Sequence, residues 1–262
     1  MSYLDLLLRR ILARTFIDRM VRNGYVPARG VLRDIFGYAL QSRLLKVPKN
    51  HPLYEYFQEE IPDTYGLSNT MLAWFWSYLS KTEPKNIVEV GSGRSTVVLA
   101  FYVQKQLQDG KSKPVVISIE SEEKWLARTR ENLDKFNLTG MINFIHCNLI
   151  NNSGNDNIPH GYDINNEKLD LLLAGNDINL LLIDGPSGGH GRGATLPSVA
   201  DRLAINADIY LDDASRNAEQ STINNWLSIF NKRLVLHGVL PLGSGLAWMR
   251  TVDKLQYKSE KN

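Results

Sequence analysis

The chain of 262 residues is 43% hydrophobic and 22% charged, which suits one globular domain with an appendage, or two small domains, and excludes collagen-like, disulfide-rich and largely disordered proteins. Its single cysteine, Cys147, excludes an internal disulfide and fits a reducing compartment, so we expect a cytoplasmic protein. The net charge of +2 is unevenly divided, because residues 1–50 carry ten Lys/Arg against three Asp, which gives +7 and leaves −5 for residues 51–262.

The first predicted element is an amphipathic helix within residues 1–24, followed by a second helical stretch over 30–45 and a linker at 48–52. Asp5 and the interrupting arginines are not typical of a secretory signal. We therefore expect residues 1–69 to form a helical extension. Its first helix is a lid or a dimerisation element of a homo-oligomer in one interpretation. In the other it contacts a membrane surface, because an apolar face flanked by arginines suits lipid.

From Asn86 onward, short apolar segments alternate with helical segments. The predicted strands are IVEV (87–90), VVISIE (115–120), INFIHC (142–147), LLLID (180–184), IYLDD (209–213), RLVLHGVL (233–240) and GLAWMR (245–250). The predicted helices lie at 68–80, 97–107 and 122–136, with a last one that ends at 229. This alternation predicts an α/β fold whose mainly parallel sheet is covered by helices on both faces. The Asn/Gly-rich residues 150–166 predict a surface loop.

A glycine-rich turn follows the first strand, and in open α/β sheets ligands bind beyond this edge. The strand carries Glu89, and the turn reads Gly91-Ser92-Gly93-Arg94-Ser95-Thr96. Glycines let the backbone approach a ligand closely, and the following helix offers free N–H groups. The dinucleotide pattern G-x-G-x-x-G fails at Thr96, which argues against NAD or FAD. A purely structural turn is the alternative.

The second and third strands also end in polar residues. Glu120 closes the second strand, where a carboxylate can accept both hydroxyls of a ribose; an ordinary solvated glutamate is the alternative. Asn148 follows the third strand and is a candidate for an adenine edge or a simple turn residue. His146, just before it, is interpreted as structural.

Three aspartates follow the last two parallel strands, Asp184 after the fourth and Asp212-Asp213 after the fifth. Carboxylates that converge on one sheet edge repel one another unless a cation or a proton intervenes, and oxygen-only ligands suit Mg²⁺. In the alternative interpretation, one Asp caps the next helix and another pairs with Arg192 or Arg216. The Gly-rich loop at 185–197 also carries His190, a candidate general base or an exposed loop histidine.

These segments resemble class I S-adenosylmethionine-dependent methyltransferases over about residues 70–252. VEVGSGRST resembles their motif I, the acidic end of VVISIE their motif II and LLLIDGP their motif IV, with IYLDDASR in support. The resemblance implies a Rossmann-like, doubly wound, seven-stranded sheet with an antiparallel C-terminal hairpin, in an S-adenosylmethionine-binding domain at 70–262. It implies that Gly91 and Gly93 contact the methionine part of the cofactor and Glu120 its ribose. The candidate cofactor residues are Glu89, Gly91, Ser92, Gly93, Ser95, Thr96, Glu120, Asn148 and Asp184.

The three aspartates look like the metal triad of cation-dependent O-methyltransferases. Catechol O-methyltransferase has Asp and then Asp-Asn at these strand ends, and sugar O-methyltransferases of the macrocin and novobiocin pathways have Asp and then Asp-Asp. The likeness implies that Asp184, Asp212 and Asp213 hold Mg²⁺ or another divalent cation, and that a hydroxyl of a sugar, glycan or other small molecule is methylated. The sugar enzymes place a catalytic Asp where this chain has Pro186, which leaves Asp184 and His190 as catalytic candidates.

Other functions stay open at this point. One is a nucleic-acid or protein methyltransferase, although IDGP is not the Asn/Asp-Pro-Pro-Tyr/Phe motif of base-amino methyltransferases and the acidic residues 51–262 do not suit a phosphate backbone. The other is a non-catalytic Rossmann-like binding module with a basic helix that binds a membrane or a partner.

Overall fold

The fold centres on a seven-stranded sheet in the order β3-β2-β1-β4-β5-β7-β6. It is seen in a computed structural model that describes residues 49, 51–58, 66–150, 161–186 and 191–257. The strands are β1 (Asn86–Val90), β2 (Val115–Glu120), β3 (Asn143–His146), β4 (Ile178–Ile183), β5 (Leu203–Leu211), β6 (Leu234–Leu240) and β7 (Leu246–Thr251). Strands β1 to β5 pair in parallel, and β7 lies antiparallel between β5 and β6. The predicted sheet and its antiparallel C-terminal hairpin are confirmed.

Helices cover both faces of this sheet. Those of the described residues are α1 (Tyr54–Gln58), α2 (Asn69–Thr82), α3 (Arg94–Gln108), α4 (Glu123–Lys135), α5 (Asn166–Leu173), α6 (Thr195–Val199) and α7 (Asn217–Phe230). Four of them match predicted helices; the short α1, α5 and α6 were not predicted as separate elements. Two buried clusters fill the spaces between the sheet and its helices, one under α2 and α3 and one under α5 and α7. The strands read as nearly continuous apolar runs because both faces are buried. Within the described ranges, no helix has the length and apolarity needed to span a membrane.

Part of the predicted N-terminal extension packs into the core of the domain. Leu53 and Tyr56 are fully buried in the cluster under α2 and α3. The helix α2 begins where Ser68 caps it, since the Ser68 side chain accepts a hydrogen bond from the Met71 N–H. The helices predicted within 1–24 and at 30–45 lie outside the described residues.

The carboxyl ends of β1 and β4 touch, backbone against backbone. The N–H groups of Asp184 and Gly185 both donate to the carbonyl of Val90, at 2.8 and 2.9 Å. Gly91 has a φ of +99°, and a Cβ atom there would lie 2.7 Å from the Gly185 nitrogen. This contact requires glycine at position 91. Because the chain leaves β1 toward β2 on one side and returns to β4 on the other, it also marks the switch point of the sheet.

The turn between β6 and β7 packs on the loop that follows β5. The N–H groups of Ala214 and Ser215 donate to the carbonyls of Gly245 and Ser244, at 2.8 and 2.9 Å. The hairpin therefore reaches the same sheet edge as the ends of β4 and β5.

Candidate functional site

A cavity of about 360 Å³ opens along the carboxyl edge of the sheet. We call one side of it the glycine end, formed by Gly91, Ser92, Gly93 and Glu120, and the other the acidic end, formed by Asp184, Asp212 and Asp213. The β6–β7 turn, with Met71 against Gly243, forms the wall at the acidic end, whereas Gly66 and Leu67 line the cavity beside Arg94 of the glycine turn. The structure thus brings the predicted glycine turn, motif II acid and acidic trio into one cavity.

A buried network beneath the cavity holds the glycine turn. One carboxylate oxygen of Glu89, Oε2, accepts hydrogen bonds from the Thr96 hydroxyl at 2.5 Å and the Ser118 hydroxyl at 2.7 Å. The Thr96 hydroxyl also accepts a hydrogen bond from the Gly93 N–H, at 2.8 Å. Thr96, which breaks the dinucleotide pattern, therefore ties the turn to the strand below it. Glu89, Ser95 and Thr96 are buried under the turn and do not line the cavity.

Burial dominates the electrostatics of this network. It raises the pKa of Glu89 from 4.5 to about 7, although the hydroxyls of Ser95, Thr96 and Ser118 act in the opposite direction. A charged carboxylate is costly in a fully buried site, so the protonated form of Glu89 is favoured until near-neutral pH.

The carboxylate of Glu120 is fixed at the cavity by hydrogen-bond donors on two sides. Its Oε2 accepts from the N–H of Ser92 at 3.0 Å, and its Oε1 accepts from the N–H groups of Ser121 and Glu122 at 2.6 and 2.9 Å. The Tyr162 hydroxyl donates to Oε1 as well, at 3.3 Å. These contacts join the end of β2 to the glycine turn, so the motif II acid has one orientation relative to Gly91–Gly93.

The end of the predicted surface loop at 150–166 is buried rather than exposed. Tyr162 and Ile164 belong to the core under α5, and Tyr162 forms a bridge with Leu149. The prediction was wrong for these residues because apolar side chains in an Asn/Gly-rich segment were given too little weight. Residues 151–160 lie outside the described residues.

Two polar residues at the end of β3 do not line the cavity. Asn148 is exposed, and among the described residues it does not line the cavity. His146 has its Nε2 atom 2.9 Å from the carbonyl oxygen of Ser121, which suits the structural role expected for it.

The cavity wall beyond Glu120 comes instead from one face of α4, which the sequence analysis did not single out. Its residues are Trp125, Arg128, Thr129 and Asn132, together with Glu122 just before the helix. Their spacing of three, four and seven residues is that of one helical face, so a helical-wheel comparison would have grouped them.

The acidic end concentrates negative charge. One carboxylate oxygen from each of Asp184, Asp212 and Asp213 lies within 4.8 Å of the others. Burial, and then the charge of Asp212, raise the pKa of Asp184 well above its usual range, and burial with the charge of Asp213 raises the pKa of Asp212. A proton or a cation is therefore needed here, as the sequence predicted.

Two arginines neutralise part of the negative charge at the acidic end. The Arg192 guanidinium donates to the carbonyls of Asp212 and Asp184, at 2.8 and 2.9 Å, and to the Asp213 carboxylate at 3.1 Å. Arg216 also pairs with Asp213, at 2.9 Å. The pairing interpretation therefore holds for Asp213. The capping interpretation is wrong, because the N-cap of α7 is Arg216 and it forms no side-chain cap.

The residues of the acidic end fit a hard divalent cation. All three side chains offer oxygen atoms, the ligands that Mg²⁺ prefers. The Oδ1 atom of Asp212 is buried and has no hydrogen-bond partner among the described residues, which leaves an acceptor available for a cation. Of the two catalytic candidates only Asp184 can be placed, since His190 lies outside the described residues.

The fold is similar to those of solved methyltransferases. A methyltransferase from Podospora anserina that is bound to S-adenosylhomocysteine (SAH) matches with a TM-score of 0.57 and 15% identity, over 87% of this chain and 98% of that one. An O-methyltransferase from Bacillus cereus in complex with SAH matches with a TM-score of 0.56 and 15% identity, over 81% of this chain and 97% of that one. No protein-family model and no curated protein matches the sequence. The chain has the Rossmann-like methyltransferase fold.

Proposed function

We propose that this protein is an S-adenosylmethionine-dependent O-methyltransferase that acts on a small hydroxylated acceptor such as a sugar or glycan. The observation that carries the proposal is the single cavity in which a fixed carboxylate beside a glycine turn faces a cluster of carboxylates. Two of the solved structures that share this fold are methyltransferases that hold SAH, which supports the same cofactor here.

The glycine end suits the cofactor. Gly93 has an extended backbone, and a Cβ atom at this position would meet nothing within 4 Å, so the space above it is open to a ligand. Glu120 lines the cavity, and its Oε2 atom, which among the described residues accepts only from the Ser92 N–H, keeps acceptor capacity for a ribose hydroxyl. The backbone of Gly91 and Ser92 lines the cavity and would lie along the methionine part of the cofactor. The face of α4 with Trp125 supplies an aromatic surface to the same end.

The acidic end suits the acceptor. Bound S-adenosylmethionine supplies an electrophilic methyl group, which the acceptor oxygen takes as the bond from carbon to sulfur breaks and S-adenosylhomocysteine leaves. The contribution of the protein is to hold the two reactants in line and to receive the proton of the acceptor hydroxyl. Asp184 is the catalytic candidate among the described residues that line this end of the cavity.

A divalent cation would be held by Asp184, Asp212 and Asp213, and would lower the pKa of the acceptor hydroxyl and orient it. The wall around this end combines apolar Met71 with polar Ser244, which suits an acceptor with both hydroxyl groups and carbon surface.

The test is a calorimetric titration of S-adenosylhomocysteine into the full chain, once with Mg²⁺ and once with EDTA. We expect micromolar binding by the wild type, and binding weaker by about tenfold or more for Glu120→Gln, since charge-assisted hydrogen bonds to the ligand are lost. Glu123→Gln is the matched control, because Glu123 is an exposed neighbour that does not line the cavity. Absence of binding in both buffers would overturn the proposed function.

A further inference from the structure

The acidic end already contains a buried cation of its own. The Arg192 side chain is only 4% exposed, whereas Arg216, the other arginine paired with Asp213, is 60% exposed. An exposed charge is screened by water and a buried one is not. Arg192 is therefore the main source of positive charge that the aspartates experience.

Hydrogen bonds to the backbone hold Arg192 in this position. Its guanidinium bridges the carbonyls of Asp184 and Asp212, which end neighbouring strands of the sheet, at 2.9 and 2.8 Å. It also lies 3.1 Å from the Asp213 carboxylate and 3.6 Å from the Asp184 carboxylate. Two of the three carboxylates thus share their negative charge with the guanidinium. The third, on Asp212, keeps an oxygen that is buried and unpartnered among the described residues.

We infer that Arg192 is the resident counter-cation of the acidic end, and that a divalent ion binds there weakly, in competition with the guanidinium for Asp184 and Asp213. The inference rests on the proposed function only where that assigns the three aspartates to a cation. A guanidinium next to an incoming divalent ion repels it, and the two backbone carbonyls prevent the arginine from moving far. Arg192 is thus a positioning residue that joins two strand ends and sets the affinity for the ion.

Removal of the charge should therefore strengthen ion binding. In Arg192→Met, the carboxylates of Asp184 and Asp213 no longer face the guanidinium, and we expect the affinity for Mn²⁺ to rise by about tenfold or more. Arg192→Lys keeps the positive charge and is expected to bind Mn²⁺ as weakly as the wild type. A residue that served only to hold the fold would not produce this difference between a neutral and a charged replacement.

The experiment is a calorimetric titration of Mn²⁺ into the full chain without cofactor, for the wild type, Arg192→Met and Arg192→Lys. Arg202→Met is the matched control, since Arg202 pairs with Asp170 away from the cavity. We expect millimolar affinity for the wild type, Arg192→Lys and Arg202→Met. Micromolar affinity of the wild type would overturn the inference, as would an Arg192→Met variant that binds no more tightly than the wild type.

Arg192→Gln is a second neutral variant for the case that Arg192→Met does not fold, because the glutamine amide can still donate to a backbone carbonyl. It is expected to bind Mn²⁺ more tightly than Arg192→Lys, and equal affinities would count against the inference. If neither neutral variant folds, the affinity of the wild type alone decides. The titration of S-adenosylhomocysteine in EDTA contains no metal, so failure of the proposed function is seen separately from failure of this inference.

Discussion

The buried glutamate beneath the glycine turn predicts a specific pH dependence of stability. Burial raises the pKa of Glu89 from 4.5 to about 7 in the folded protein. Between these two values the unfolded chain has lost the proton that the folded protein still holds. Stability therefore falls as the pH rises through this range, and the whole penalty is present above the folded pKa. At about 1.4 kcal/mol for each pKa unit, the penalty is about 3 kcal/mol.

Glu89→Gln should remove this dependence, because the amide resembles the protonated acid and can still accept from Thr96 and Ser118. The measurement is urea unfolding of variant and wild type at pH 5 and pH 8. Part of the penalty is already present at pH 5, so we expect the free energy of unfolding of the variant, relative to the wild type, to be about 2.5 kcal/mol higher at pH 8 than at pH 5. For Glu131→Gln, an exposed glutamate on α4, the same comparison should change by less than about 0.5 kcal/mol. An equal difference at both pH values for Glu89→Gln would refute the reasoning.

Two further pairs of variants test which contacts stabilise the fold. Gly185→Ala should lower the free energy of unfolding by about 2 kcal/mol or more, because its Cβ would lie 2.8 Å from the Gly91 Cα, whereas Gly93→Ala meets open space and should preserve stability. Equal stability of the two variants in urea unfolding would contradict the close contact of β1 and β4. Asp208→Asn should cost about 2–4 kcal/mol, because its buried carboxylate accepts two hydrogen bonds from Arg250 besides those from a tyrosine and a tryptophan. Asp170 forms an ion pair with its side chain 56% exposed, so Asp170→Asn should lower the free energy of unfolding by less than about 1 kcal/mol. A loss as large as that of Asp208→Asn would show that burial is not the cause.

The sheet and the ends of its strands were predictable because parallel strands buried on both faces leave apolar runs in the sequence. The polar residue that closes each run, such as Glu120 or Asp184, then falls at one sheet edge by topology alone. Short elements were harder. The helix α5 is only eight residues long, and its Asn165 cap is a turn residue as much as a helix signal.

The contacts that complete the site depend on the paths of loops, which periodicity does not determine. Tyr162 reaches Glu120 across 42 positions of the chain, and Arg192 reaches Asp213 across 21. The sequence analysis gave Arg192 as one possible partner of the aspartates. Its hydrogen bonds to the backbone at the ends of β4 and β5 could not be predicted, because they depend on the positions of both strand ends.

The position of β7 has a consequence for the order in which the molecule is assembled during translation. This strand comes last along the chain, yet it lies inside the sheet between β5 and β6. As the chain emerges from the ribosome, β1 to β4 can pair before β6 and β7 are made, so the glycine end is complete early. Until residues 246–251 emerge, β5 keeps an unpaired edge, and the turn that forms the wall of the acidic end lacks the second strand of its hairpin. A nascent chain that is stalled just before residues 246–251 emerge should therefore expose the unpaired edge of β5. We expect such a chain to bind chaperones more strongly than a chain that is released a few residues later.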